Sequence, residues 1–83
     1  GFRVNEQIMF DTYGDAKLVL DNMDEMLMDA GEVSISDMYA AADRSCPYTY
    51  EYYGWKNISS AKIVCDSGKY WIKMPRPIQL KHN

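Results

Sequence analysis

Ala16, Val19, Leu20, Met23, Leu27 and Ala30 recur at steps of three and four residues, with Met26 beside them. Asp15, Asp21, Asp24, Glu25 and Asp29 occupy most of the positions in between. An apolar stripe at that spacing, backed by acids, predicts an amphipathic helix. Asp11 or Thr12 can cap its start, where acids also suit the helix dipole, and Gly31 ends it as the residue after the cap. Gly31-Glu32-Val33-Ser34 leaves room only for a turn or a bridge of strand. A second helix follows over about Ser36 to Arg44, capped by Ser34 or Ser36, with Asp37 in its first turn. Met38, Tyr39 and Ala42 form its apolar side, Ile35 can staple its entry, and Ala40-Ala41-Ala42 allows close approach of another element.

The pattern changes period toward the C-terminus. Ala61 to Asp66 and Lys69 to Met74 are β-rich runs joined at Asp66-Ser67-Gly68, which predicts a hairpin with Gly68 at positive φ. Ile63 and Cys65 share one face of its first strand. Tyr70, Ile72 and Met74 share a face of the second, and Lys69, Trp71 and Lys73 share the opposite one. Pro75 and Pro77 end the pairing because proline has no N–H to donate. Between helix and hairpin, Tyr48, Tyr50, Tyr52, Tyr53 and Trp55 crowd a stretch punctuated by Pro47 and Gly54. Its mixed period predicts a structured loop with a short helical turn, and leaves open whether residues 48–55 are core or binding surface. Gln7-Ile8-Met9-Phe10 is a short apolar run that suits an edge strand. Residues 1–6 are expected to fray and residues 76–83 to form a C-terminal tail. The resulting fold class is α+β: two helices packed on a C-terminal antiparallel β-hairpin, with the option of a short N-terminal strand. Val19, Leu20, Met23, Leu27, Trp55, Ile63 and Ile72 are the expected structural core.

Composition bounds this picture without changing it. Eighty-three residues (9.6 kDa), 47% hydrophobic and 25% charged, match one small globular domain over residues 1–83 rather than a disordered chain. No apolar run approaches the ~18 residues of a membrane span, and the mixed, polar start Gly1-Phe2-Arg3-Val4-Asn5-Glu6 does not read as a secretory leader. Charge is unevenly spread. Residues 1–41 carry 2 basic and 9 acidic residues, and residues 42–83 carry 7 basic and 3 acidic ones. That asymmetry reads either as one acidic solvated helix face or as a dipolar molecule whose second half meets an anionic partner.

Catalytic chemistry is thin. Cys46 and Cys65 have no histidine or cysteine at ligand spacing, and the single histidine, His82, stands next to the end of the sequence. A zinc site needs about four such ligands, so no metal and no cofactor are expected. Both thiols are expected to be reduced. The glycosylation triplet Asn57-Ile58-Ser59 carries no weight without a secretory signal. A nucleophile with an orienting base is missing, the glycines are scattered rather than gathered into a phosphate loop, and the acids fall mostly on one helix face. The chain is therefore not expected to be an enzyme. Of the six methionines, Met23, Met26 and Met28 cannot share one face of a helix, so one of them suits adaptable partner contact.

Two function classes remain. The first is a protein-interaction module with an unidentified protein partner and no membrane association. The second is a nucleic-acid-binding module of winged-helix outline, with Lys62, Lys69, Trp71, Lys73 and Arg76 as contacts, cations for phosphates and the aromatic ring for stacking. A winged helix needs a recognition helix just before the wing. That place holds Tyr48 to Ser60, broken by Pro47 and Gly54 and carrying only Lys56 as a cation.

Four pieces of the sequence stand in a recognisable order. They are Gly31-Glu32-Val33-Ser34-Ile35-Ser36-Asp37-Met38-Tyr39, then Tyr53-Gly54-Trp55-Lys56-Asn57-Ile58, then Ala61-Lys62-Ile63, then Gly68-Lys69-Tyr70-Trp71-Ile72-Lys73-Met74-Pro75-Arg76-Pro77. In order and spacing, over about residues 14–80, the chain resembles a group of small, mostly uncharacterised proteins of tailed bacteriophages and prophages. Asn57 departs from that pattern, where an acid is common, as do Met38 and Met74, where leucine is usual. The resemblance implies a phage or prophage origin and a setting in the bacterial cytoplasm. It implies no activity and assigns no residue a role.

Overall fold

The computed structural model describes residues 7–80. It is a mixed α+β globule of two helices and five short strands. Helix α1 spans Tyr13–Ala30, β1 Val33–Ser34 and α2 Ile35–Ala41; a 3₁₀ turn at Tyr48–Tyr52 leads into β2, Tyr53–Trp55. Then come β3 (Lys62–Asp66), β4 (Lys69–Lys73) and β5 (Ile78–Gln79). β1, β2 and β5 form a small antiparallel sheet with β2 in the centre, while β3 and β4 form a separate hairpin.

Local chemistry sets the helix ends. The Thr12 hydroxyl accepts the Asp15 N–H at 3.0 Å to start α1. Gly31, in the left-handed region at φ 78°, donates its N–H to the Leu27 carbonyl at 2.8 Å to close it. Ser34 ends β1 and caps α2 at once. Its hydroxyl accepts the Asp37 N–H at 2.9 Å, and the Asp37 carboxylate accepts the Ser34 N–H at 3.0 Å, a reciprocal capping box. α2 is shorter than the expected Ser36–Arg44. Asp43 turns left-handed at φ 58°, the Arg44 N–H returns to the Tyr39 carbonyl at 2.8 Å and the Asp43 N–H to that of Ala40 at 3.0 Å. Those two bonds take the Tyr39 and Ala40 carbonyls and close the helix after Ala41.

The hairpin turns through two residues, Ser67 at φ 53° and Gly68 at φ 81°. Two successive positive φ values define the turn whose twist matches paired strands. Its register is Asp66↔Lys69, Cys65↔Tyr70, Val64↔Trp71, Ile63↔Ile72 and Lys62↔Lys73. Opposed residues share a face, so Ile63, Cys65, Tyr70 and Ile72 line one side. α1 packs on that side, with the Tyr13 and Tyr70 rings edge-to-face at 6.2 Å. α2 instead lies against α1, the 3₁₀ turn and the small sheet, not on the hairpin.

Two expectations need correction, and one open question is answered. Gln7–Met9 join no strand; only Phe10 forms a single bridge to Tyr70, because the helix cap at Thr12 turns the chain away. The segment expected as a tail from residue 76 is part of the fold. Pro75 and Pro77 stop the hairpin ladder, but Ile78 and Gln79 pair with β2 as β5, and Leu80 is buried with its N–H on the Tyr52 carbonyl at 2.7 Å. The aromatic stretch 48–55 divides rather than choosing one role. Trp55 is buried and Tyr50 and Tyr53 pack against the core, whereas Tyr48 and Tyr52 are exposed. The fraying expected of residues 1–6 and the end of the tail, 81–83, lie outside the described residues.

The core joins Ala16, Val19 and Met23 of α1 to Val33, Ile35, Tyr39, Trp55, Ile58 and Ile72. Leu20, Leu27 and Ile63 are only partly buried and pack against its margin. Val33 and Ile35, which flank the Ser34 cap, are fully buried. Trp55 ties this core to the segment after the hairpin, its indole N–H donating to the Pro75 carbonyl at 2.7 Å.

Trp55→Ala is expected to cost ~3–5 kcal/mol, a large share of the stability of so small a domain. Trp55→Phe keeps most of the apolar volume and removes the indole bond, at about 1–3 kcal/mol for the stranded carbonyl. Urea unfolding of both variants checks this order; equal costs would show that the Pro75 bond, not burial, carries the contribution.

Candidate functional site

Register places the second set of hairpin residues on the side away from α1. Lys62 opposes Lys73, Val64 opposes Trp71 and Asp66 opposes Lys69 on this outward face. Val64 and Trp71 are half-buried in its middle, and all three lysines are exposed. A shallow depression lined by Ser60, Lys62, Lys73, Met74 and Pro75 adjoins the pair of lysines. Arg76 is exposed just beyond, between the two prolines. The structure thus brings Lys62, Lys69, Trp71 and Lys73 onto one face and sets Arg76 at its margin.

Those cations are not equivalent. The Lys69 ammonium pairs with the Asp11 carboxylate, so the N-terminal segment already satisfies it. Its hydrogen bond, and secondarily its charge, hold the Asp11 carboxyl below the ordinary value of 3.8. Among the described residues the other ion pair is Lys17–Asp21, at 2.5 Å along α1, where the Asp21 bond and charge raise the Lys17 ammonium above its usual 10.5. Lys62 and Lys73 have no carboxylate within ion-pair distance among the described residues. Side chains directly opposite in an antiparallel pair stand about 4.5–5.5 Å apart at Cβ, and like charges there are destabilising.

Helix α1 carries the reverse charge. α1 covers the inner face of the hairpin, and its outward positions Asp15, Asp21, Asp24, Glu25 and Asp29 are exposed. Leu18 and Met28 are exposed among them, Met28 at 86%. The charge division seen along the sequence is therefore a division in space, with a basic aromatic face and an acidic helical one.

Other chemistry is not assembled. No three histidine, cysteine, aspartate or glutamate side chains converge as metal ligands among the described residues. Cys46 is half-buried, Cys65 is exposed and both thiols are free; His82 lies outside the described residues. No helix among the described residues is long and apolar enough to cross a membrane. The poor recognition helix read from the sequence before the hairpin has its counterpart in the fold. Both α-helices end before residue 42, and the hairpin is preceded by the 3₁₀ turn, β2 and a turn at Ser59–Ser60, so no recognition helix precedes the wing.

Val64 and the Lys62–Lys73 opposition were not singled out from the sequence. The signal was present: a two-residue turn at Ser67-Gly68 fixes every cross-strand pair by counting outward.

Lys69→Ala is expected to raise the Asp11 titration midpoint to the ordinary carboxylate range, as read by carboxyl NMR. In the unmodified chain the pair's contribution is present above the unfolded carboxyl value and is lost as pH falls through the lowered folded one. An unchanged midpoint would show that Lys69 is free for a partner.

Compared with known proteins, the chain matches no family model, no curated protein and no solved structure.

Proposed function

We propose that this chain is a non-enzymatic interaction module of a phage or prophage, acting in the host cytoplasm, whose outward hairpin face docks an acidic segment of a protein. One observation carries the reading: Lys62 and Lys73 stand opposite each other with no carboxylate in ion-pair distance among the described residues, beside the half-buried Val64–Trp71 pair. Such a like-charged pair weakens the hairpin. A bound carboxylate between the two ammonium groups would relieve it, while Val64 and Trp71 offer apolar area to a neighbouring side chain. The phage setting rests on the resemblance of the ordered sequence pieces alone.

Protein is favoured over nucleic acid on charge. With Lys69 held by Asp11, the face offers Lys62, Lys73 and Arg76 to phosphates, against a net charge of −3 and the acidic outward side of α1. Three duplex contacts would give a log–log salt slope of about −2.7, too few for retention at physiological salt.

The test is an NMR titration of the full chain with a glutamate-rich peptide carrying leucines, beside anisotropy titrations with mixed-sequence DNA and RNA. The expected result is peptide-induced shifts centred on Lys62, Val64, Trp71 and Lys73, weakened by salt and lost in Lys62→Glu with Lys73→Glu, with no measurable nucleic-acid binding. Micromolar binding of DNA or RNA, lost on Lys62→Ala with Lys73→Ala, would overturn the reading.

A further inference from the structure

The hairpin has one edge covered and one open. On the covered edge, Tyr70 exchanges both backbone bonds with Phe10, at 2.9 and 2.7 Å. That fixes the parity of the ladder, because backbone groups alternate in direction along a strand. Tyr70 points away from β3, so Lys69, Trp71 and Lys73 point toward it and bond Asp66, Val64 and Lys62. Ile63 and Cys65 must then direct their N–H and C=O groups to the far side of β3. Among the described residues no strand pairs with β3 there, and neither Ile63 nor Cys65 makes a backbone bond to any of them outside the hairpin. An edge of this kind is a template for another strand.

We propose that the occupant is β3 of a second copy of this chain, antiparallel, about a two-fold axis through Val64. The strand Lys62-Ile63-Val64-Cys65-Asp66 is complementary to its own reverse. With Val64 opposite Val64 of the second copy, Ile63 meets Cys65, and these are the residues whose backbone groups are free. Lys62 meets Asp66, and Asp66 meets Lys62. A shift of two residues either way keeps the backbone parity but sets Lys62 against Val64 or Gly68 and loses both charge pairs. The same axis makes one four-stranded sheet. Its outward face carries a row Trp71–Val64–Val64–Trp71 across both copies, flanked on each side by Lys73–Lys62–Asp66–Lys69. Lys62, opposed only by Lys73 within one chain, gains a carboxylate on its other side. This closed, isologous arrangement shares Lys62 with the docking reading but forms through the strand edge, so sedimentation of the chain alone and peptide titration test the two separately.

A single pair of short strands makes a weak dimer, so the full chain is examined by sedimentation equilibrium over about a hundredfold range of concentration. The average mass is expected to rise from monomer toward dimer. Lys62→Asp and Asp66→Lys each place like charges at both ends of the interface and are expected to weaken dimerisation by at least ~tenfold, more than 1.4 kcal/mol. Mixed together, the two variants present opposite charges at both ends, and native mass spectrometry is expected to show the heterodimer in excess of either homodimer. A separate variant serves if either of these melts early. In a Cys46→Ser, Cys65→Ser background, Val64→Cys is expected to cross-link on mild oxidation, because facing residues of a non-hydrogen-bonded pair lie about 4.5 Å apart at Cα, within disulfide reach. Ile63→Cys in the same background faces position 65, not itself, and is expected to cross-link far more slowly. A wild-type chain that stays monomeric throughout, folded variants that dimerise unchanged or give no heterodimer, or equal cross-linking at 63 and 64, would each overturn the proposal.

Discussion

A Cβ atom built on Gly54 would lie 2.1 Å from the Val33 carbonyl oxygen and 2.6 Å from the Ser34 Cα. No side chain fits there, and the obstruction is backbone, which cannot swing aside. Gly54 is the middle of the central strand of the small sheet, opposed by Ser34 on one side and Ile78 on the other. That close approach sets β1 against β2, and so sets Ser34, which caps α2, and the buried neighbours Val33 and Ile35. The next residue, Trp55, carries the arrangement outward to Pro75 through its indole bond.

The consequence for function is a matter of which surfaces remain. α1 is held between the small sheet and α2 on one side and the hairpin on the other, so the inner hairpin face is used up. The N-terminal segment takes one hairpin edge through Phe10 and one lysine through Asp11. What is left is an outward face with two lysines in opposition beside an apolar pair, and one strand edge whose backbone groups no described residue takes. Both are local departures from what stability alone favours, and such departures are where binding is expected to reside.

Elements whose signals are local were legible in the sequence. The apolar stripe of α1, the Thr12 and Gly31 ends and the positive φ of Gly68 all depend on residues within one turn of each other. The small sheet was not legible, because β1, β2 and β5 are two or three residues each and are brought together from positions 33, 54 and 78. No periodicity survives in strands that short. Leu80 and the β5 segment read as a tail because Pro75 and Pro77 signal an end, whereas here they redirect the chain back to Tyr52. The basic residues were visible as types, but their standing was not. Only the fold shows Lys69 occupied by Asp11 and Lys62 left facing Lys73.

The dependence of the whole on the Gly54 approach is tested by Gly54→Ala, with Gly14→Ala as its control. Gly14 lies in the exposed first turn of α1, where a Cβ would meet only the Thr12 hydroxyl at 3.9 Å. Gly14→Ala is expected to be neutral or stabilising by up to ~1 kcal/mol, whereas Gly54→Ala is expected to cost at least ~3 kcal/mol and to lower the melting temperature sharply. Hydrogen exchange in Gly54→Ala is expected to lose protection at Ser34, Asp37 and Leu80 together. Melting and exchange like those of the wild type would contradict the account, since β1 and β2 would then not need to touch.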